Sequence, residues 1–129
     1  MLPWQVVGPV VLCAHTLSRW GSVTMINMSS YVDDPSSLSK PYVGQVTRPR
    51  LAFATLVPTV PLTIWVFGPV PGAAMAVSVI AVVWLATRFF AEWLDGITGD
   101  CLGAINQLVE LCVYLVAGQP AVLDALRRF

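Results

Sequence analysis

Apolar residues fill this chain in long blocks, separated by clusters of Gly, Pro and acids. The longest block runs from Leu51 to Thr87 without a charged residue. It is divided by Gly68-Pro-Val-Pro-Gly72, and Gly combined with Pro favours a turn. Each half is long enough to cross a hydrocarbon core of about 30 Å, which takes roughly 20 helical residues. The pattern predicts a helical hairpin. Pro58 and Pro61 fall inside its first arm. Membrane helices tolerate proline where neighbours satisfy the freed carbonyls, so a kink is expected there. One apolar segment, Trp4 to Met28, precedes the hairpin and another, Cys101 to Ala117, follows it. The fold class read from this pattern is all-α: a polytopic membrane helix bundle of about four transmembrane helices, a single domain over residues 1–129.

Both outer segments carry polar residues at helical spacing. In the first, His15, Ser18, Arg19 and Ser22 recur at i, i+3, i+4 and i+7. In the last, Gly103, Asn106, Gln107, Glu110 and Tyr114 share a face. A polar stripe on a membrane helix is expected to turn from lipid toward the bundle or a water-filled cavity. Two helices are therefore expected to give polar faces to a common interior.

Residues 29–50 are rich in Ser, Pro, Asp and Gly and read as a loop, and residues 88–100 as an acidic, Gly-rich loop. Lys40, Arg48 and Arg50 lie in the first and Arg88 opens the second, against Arg127 and Arg128 in the tail. The positive-inside rule then puts both loops on the cytoplasmic side of a cell membrane. The tail, short and amphipathic, is expected at the interface. The N-terminus has no basic region ahead of its apolar segment, so no cleavable signal peptide is expected.

Composition sharpens the membrane reading. Charged residues make up 11% of the chain and hydrophobic ones 57%, where soluble domains carry about 25% charged residues. A chain of 129 residues cannot hide that much apolar surface in a soluble core. Zero formal net charge gives no basis for a broadly basic nucleic-acid binder. Cys13, Cys101 and Cys112 have no paired spacing, so neither a disulfide framework nor a zinc site is expected.

Candidate chemistry concentrates in Leu94 to Ala104, LDGITGDCLGA. Asp95 and Asp100 flank Gly-Ile-Thr-Gly, a stretch permitting tight turns and close backbone approach. Magnesium is commonly held by one or two carboxylates together with phosphate oxygens and water. The pair reads either as a metal or phosphate site or as solvated loop residues, with Asp100 also able to cap the following helix. Glu110 lies about two turns into an apolar helix and must be neutral, paired or hydrated. Asn106 can bond it from one turn away, and Arg19 or His15 can pair with it. The alternatives are a buried clasp between helices and a direct role at an active site. Arg19 and Lys40 can each bind phosphate, or serve as ordinary structural and loop cations. Asp33 and Asp34 read as turn residues. The rival to an enzyme is a small non-enzymatic transport or scaffold subunit, in which the polar stripes merely join helices.

Leu94 onward, LDGITGDCLGAINQLVEL, resembles the C-terminal signature of the cobalamin synthase family, G-G-x-T-G-D-x-L-G-A followed by a helix bearing N-Q and E. Gly96, Thr98, Gly99, Asp100, Leu102, Gly103, Ala104, Asn106, Gln107 and Glu110 match it. The upstream AHTLSRW, Tyr-Val-Asp-Asp and SKP segments are similar too. The resemblance implies a membrane transferase that joins α-ribazole, or its 5′-phosphate, to adenosylcobinamide-GDP with release of GMP. It implies Mg2+, with Asp100 and Asp95 as metal ligands and Asp95 standing where the family commonly has glycine. It implies Asp100, Asn106 and Glu110 as catalytic residues, and Arg19, Lys40, Thr98 and Gly99 as phosphate-binding residues. The expected partners are the corrinoid nucleotide, α-ribazole and the lipid bilayer. The family's acidic N-terminal motif, D-G-x-x-D-T-x-D-G, has no match here. The resemblance therefore implies a C-terminal half, inactive without an N-terminal half or partner chain.

Overall fold

The computed structural model describes residues 4–28, 47–94 and 97–126, and every element among them is helical. Lys40, Asp33, Asp34, Asp95, Arg127, Arg128 and most of the 29–50 loop lie outside the described residues. The elements are α1 (Trp4–Met28), α2 (Arg48–Ala54), a π-helical turn (Thr55–Thr59), α3 (Val60–Phe67), α4 (Pro69–Leu94), α5 (Gly99–Ala117) and α6 (Pro120–Leu126).

The hairpin forms as its sequence predicts, with a tighter turn. Gly68 alone connects the arms, at φ 79° and ψ 172°, a region open essentially to glycine. Pro69 opens α4, where its missing N–H costs no helical bond. Gly72, expected in the turn, is helical and buried. A Cβ there would sit 3.3 Å from the Thr63 carbonyl oxygen, so its small size lets the arms approach.

The expected kink is a π turn. Pro58 has no N–H for the Ala54 carbonyl four residues back, and its ring crowds that oxygen. The Thr59 hydroxyl donates to the same carbonyl at 2.8 Å. Helix α2, the π turn and α3 thus remain one arm, Arg48–Phe67.

Two boundaries move from their expected places. Residues 48–50 are helical, because Pro49 suits a first turn. Residues 88–94 are helical as well: RFFAEWL holds no breaker, and Arg88 meets Glu92 at 3.4 Å, one turn on. Helix α4 therefore runs through Leu94, past the start expected for the acidic loop.

Core and surface are arranged for a bilayer. The buried positions of α4, such as Met75, Val79 and Val83, recur at helical spacing. Large apolar side chains also cover the outside, among them Leu56, Ile64, Val77, Leu85 and Leu115. In water such a surface would be an association liability; against lipid it needs no cover. Trp4 and Trp93, 82% and 74% exposed, stand at opposite ends of the bundle, as interfacial anchors do. Among the described helices, Arg48–Phe67, Pro69–Leu94 and Gly99–Ala117 are long and apolar enough to cross a membrane. Helix α1 has the length, 25 residues, but its polar stripe lowers its hydropathy, so three such spans are found where about four were expected. The chain is a multi-pass membrane protein.

Candidate functional site

Cross-helix contacts fix the directions of the elements. Ser18 reaches Glu110 while Ser22 reaches Asn106, so α1 and α5 run antiparallel. Trp20 donates to Thr55 at 2.7 Å and Cys13 meets Thr63 at 3.7 Å, so α1 also opposes the first arm. Met28, Arg48, Leu94 and Gly99 therefore gather at one end of the bundle. This end borders both stretches that carry the basic and acidic sequence.

At this end Thr98 starts α5. Its extended backbone and its hydroxyl, accepting from the Cys101 N–H at 3.4 Å, make it the N-cap. Asp100, a possible cap from sequence, instead lies exposed in the first turn. There its carboxylate faces the positive end of the helix dipole. The first amides of any helix lack intrahelical acceptors, so the Thr98-Gly99-Asp100 head presents donors suited to an anion.

Deeper in, α1 and α5 are joined by a polar clasp. The Glu110 carboxyl accepts from His15 Nδ1 at 2.9 Å and from the Ser18 hydroxyl at 3.0 Å. Asn106 satisfies its neighbours with its amide nitrogen donating to Ser22 Oγ at 2.7 Å and to the Ser18 carbonyl at 2.9 Å. Its oxygen then accepts from Arg19 at 3.3 Å. In this arrangement the Ser22 hydroxyl donates to the Leu102 carbonyl at 3.3 Å. The Asn106–Glu110 bond considered from spacing does not form, and His15, rather than Arg19, pairs with Glu110. A Cβ on Gly21 would lie 3.1 Å from a Val83 methyl and 3.3 Å from a Val109 methyl, so glycine lets α1 seat against α4 and α5.

The stripe on α5 does not all turn inward. Asn106 and Glu110 reach α1, whereas Gly103, Gln107 and Tyr114 are exposed. At about 100° per residue the five positions span too wide an arc for one neighbour. His15 and Arg19 are exposed at the outer edge of α1. They line an open groove of about 420 Å³ with Thr16, Trp20, Val23, Ala54, Pro58 and Thr59, which the sequence did not reveal because it depends on the π turn beside α1.

The candidate residues thus form two groups. Thr98, Gly99 and Asp100 head α5; Asn106 and Glu110 lie roughly 9 and 15 Å further along it, at 1.5 Å per residue. Asp100 and Glu110 cannot share an ion. No group of three His, Cys, Asp or Glu able to hold a metal occurs among the described residues. Asp100 offers one carboxylate, which suits magnesium only with oxygens from elsewhere, such as phosphate and water.

Comparison with known proteins gives a consistent picture. A family model described as cobalamin-5-phosphate synthase matches residues 2–118. The adenosylcobinamide-GDP ribazoletransferase of Shewanella woodyi is 37% identical over 113 residues, 87% of this chain and 43% of the relative. That of Vibrio cholerae is 38% identical over 112 residues, 84% of this chain and 41% of the relative. That of Ralstonia pickettii is 31% identical over 123 residues, covering 88% and 47%. The chain spans less than half the length of these curated relatives. No solved structure matches it.

Proposed function

The chain belongs to the cobalamin-5-phosphate synthase family, and from that membership we propose that it supplies part of an adenosylcobinamide-GDP ribazoletransferase. In the proposed reaction an oxygen of α-ribazole, or of its 5′-phosphate, attacks the cobinamide-linked phosphorus of the phosphoanhydride. The bond to the GMP oxygen breaks, GMP leaves, and the lower ligand is joined to the corrinoid. Catalysis of this kind is chiefly positioning and charge stabilisation.

The observation that carries the reading is the head of α5, where the T-G-D-x-L-G-A motif becomes a capped helix N-terminus with exposed Asp100 at a membrane-edge end. The amides of this end, with Thr98 holding the turn, are the proposed phosphate cradle, and Lys40 is a proposed second cation. Asp100, with Asp95, is proposed to contribute carboxylates to a magnesium ion. When bound, such an ion neutralises developing charge on phosphate oxygens. Asn106 and Glu110 act as positioning residues that lock α5 to α1. Arg19, exposed on α1 and bonded to Asn106 about two turns from the α5 head, is assigned to this clasp instead of the phosphate. The basic residues Arg48, Arg50 and Arg88 of the same end support a cytoplasmic orientation in a bacterial inner membrane.

Full activity is proposed to require the part of the family's length that this chain does not cover. Complementation of a cobalamin-synthase-deficient strain tests this. The 129-residue chain alone should not rescue growth, and co-production with the uncovered part of the S. woodyi relative should. Rescue by the chain alone would refute the requirement. In the completed enzyme Asp100→Asn should lower turnover far more than Asp33→Asn, and equal effects would remove Asp100 from the site.

A further inference from the structure

The groove beside α1 lies at the wrong depth for its chemistry if lipid is its only neighbour. His15 is the twelfth of 25 residues in α1, and Glu110, its partner, the twelfth of 19 in α5. Both therefore stand near the middle of their helices, which in the candidate span α5 is close to the bilayer centre, with Arg19 one turn away. The His15 side chain is 57% exposed and Arg19 is exposed. Among the described residues, Arg19 meets the Asn106 amide but no carboxylate. An arginine facing hydrocarbon at this depth costs several kcal/mol by insertion scales, about 2.5–3.5. A polar partner for Arg19 in this otherwise mostly apolar groove would remove that cost.

The shape of the groove identifies the kind of cover. Its walls are two rows at i, i+4 spacing: His15, Arg19 and Val23 on α1, and Ala54 and Pro58 on the arm. Paired i±4 rows are the ridges between which a third helix packs. Among the lining residues Ala54 and Thr59 are of the small kinds that permit the close approach by which membrane helices associate. The polar face also continues across the clasp. Gln107 is about 160–200° around α5 from Ile105 and Val109, which meet Gly21 on the α4 side. It is thus exposed on the same outer flank as Arg19.

We infer that this groove seats a transmembrane helix from the part of the family's length outside the 129 residues, with a carboxylate facing Arg19. The inference rests on the proposed function only for the source of that helix. More than half of each compared relative lies outside the match, enough sequence to contain one.

Photocrosslinking in membranes tests the seat without reference to activity. The chain carries p-benzoylphenylalanine at Val23, in the groove, or at exposed Leu85 on α4, and is made together with the tagged uncovered part of the S. woodyi relative. Val23 should form an adduct with the tagged segment and Leu85 should not. Arg19→Gln should lower the Val23 adduct about tenfold, the effect of ~1.4 kcal/mol. Adducts with lipid alone, equal adducts from Leu85, or a band at twice the chain's 13.9 kDa each overturn the inference. If the co-produced halves rescue growth while Val23 labels only lipid, the enzymatic reading stands and the seat is lost. If the adduct forms without rescue, the seat stands and the reaction assignment falls.

Discussion

Asn106→Ala and Asn106→Asp, compared in one background, test the clasp between α1 and α5 and the orientation of its central amide. Asn106 donates to Ser22 Oγ and to the Ser18 carbonyl and accepts from Arg19. Side-chain hydrogen bonds between membrane helices contribute about 0.6 kcal/mol each, and at most ~1.7. The Arg19 contact is the longest of the three, at 3.3 Å, and comes from an exposed side chain, so it should contribute least. Truncation to alanine should then cost about 1–2 kcal/mol, from two good bonds and one weak one. The aspartate variant separates geometry from size. It would place an acceptor oxygen where the amide nitrogen now lies 2.9 Å from the Ser18 carbonyl, setting acceptor against acceptor. It should therefore be no more stable than the alanine variant, even though it keeps an acceptor for Arg19. Unfolding in mixed micelles by added SDS, followed by far-UV circular dichroism, gives both free energies. An aspartate variant within about 0.5 kcal/mol of the parent, the ordinary range for a change away from any special feature, would refute the donor assignment.

Three further outcomes can be read with the same assay. Gly21→Val should destabilise by about 1–3 kcal/mol, since even a Cβ meets Val83 and Val109 at 3.1 and 3.3 Å; an unchanged midpoint would mean that the three-helix junction has slack. Thr98→Ala should cost about 1 kcal/mol as a lost N-cap while Thr98→Ser keeps most of it, and equal losses would show that the hydroxyl is not the cap. Gly68→Ala should cost about 1–3 kcal/mol, because its φ of 79° with ψ of 172° suits glycine; a neutral result would place the hairpin turn elsewhere.

Much of the architecture is legible in the order of residues. The hairpin follows from an uncharged run cut by glycine and proline, and the partnership of α1 and α5 from two stripes at helical spacing. The finer choices depend on distances that spacing cannot supply. His15 and Arg19 lie one turn apart and both suit Glu110; the antiparallel register of α5 brings His15 to it. Asn106 shares a face with Glu110, yet Ser22 and the Ser18 carbonyl across the seam are better placed. The reach of α4 through Leu94 was obscured by the acidic glycine motif, which drew the loop boundary back to Arg88. The candidate site was legible as a motif but not as a shape: its residues on α5 divide into a head and a clasp too far apart to act on the same atom.

The π turn at Pro58 also has a bearing on how the arm tolerates insertions and deletions. One wide turn adds about one residue to the helix, so Val60–Phe67 is rotated by roughly 100° from the setting a continuous α-helix would give it. Thr63, Val66 and Phe67 are buried in that rotated setting. A chain one residue shorter between Thr55 and Thr59 could regain a regular helix and still direct Thr63 toward Cys13, whereas straightening the arm at its present length would turn Thr63 away. The match between the number of residues and the width of the turn at this point sets which side of the arm's second half faces its neighbours.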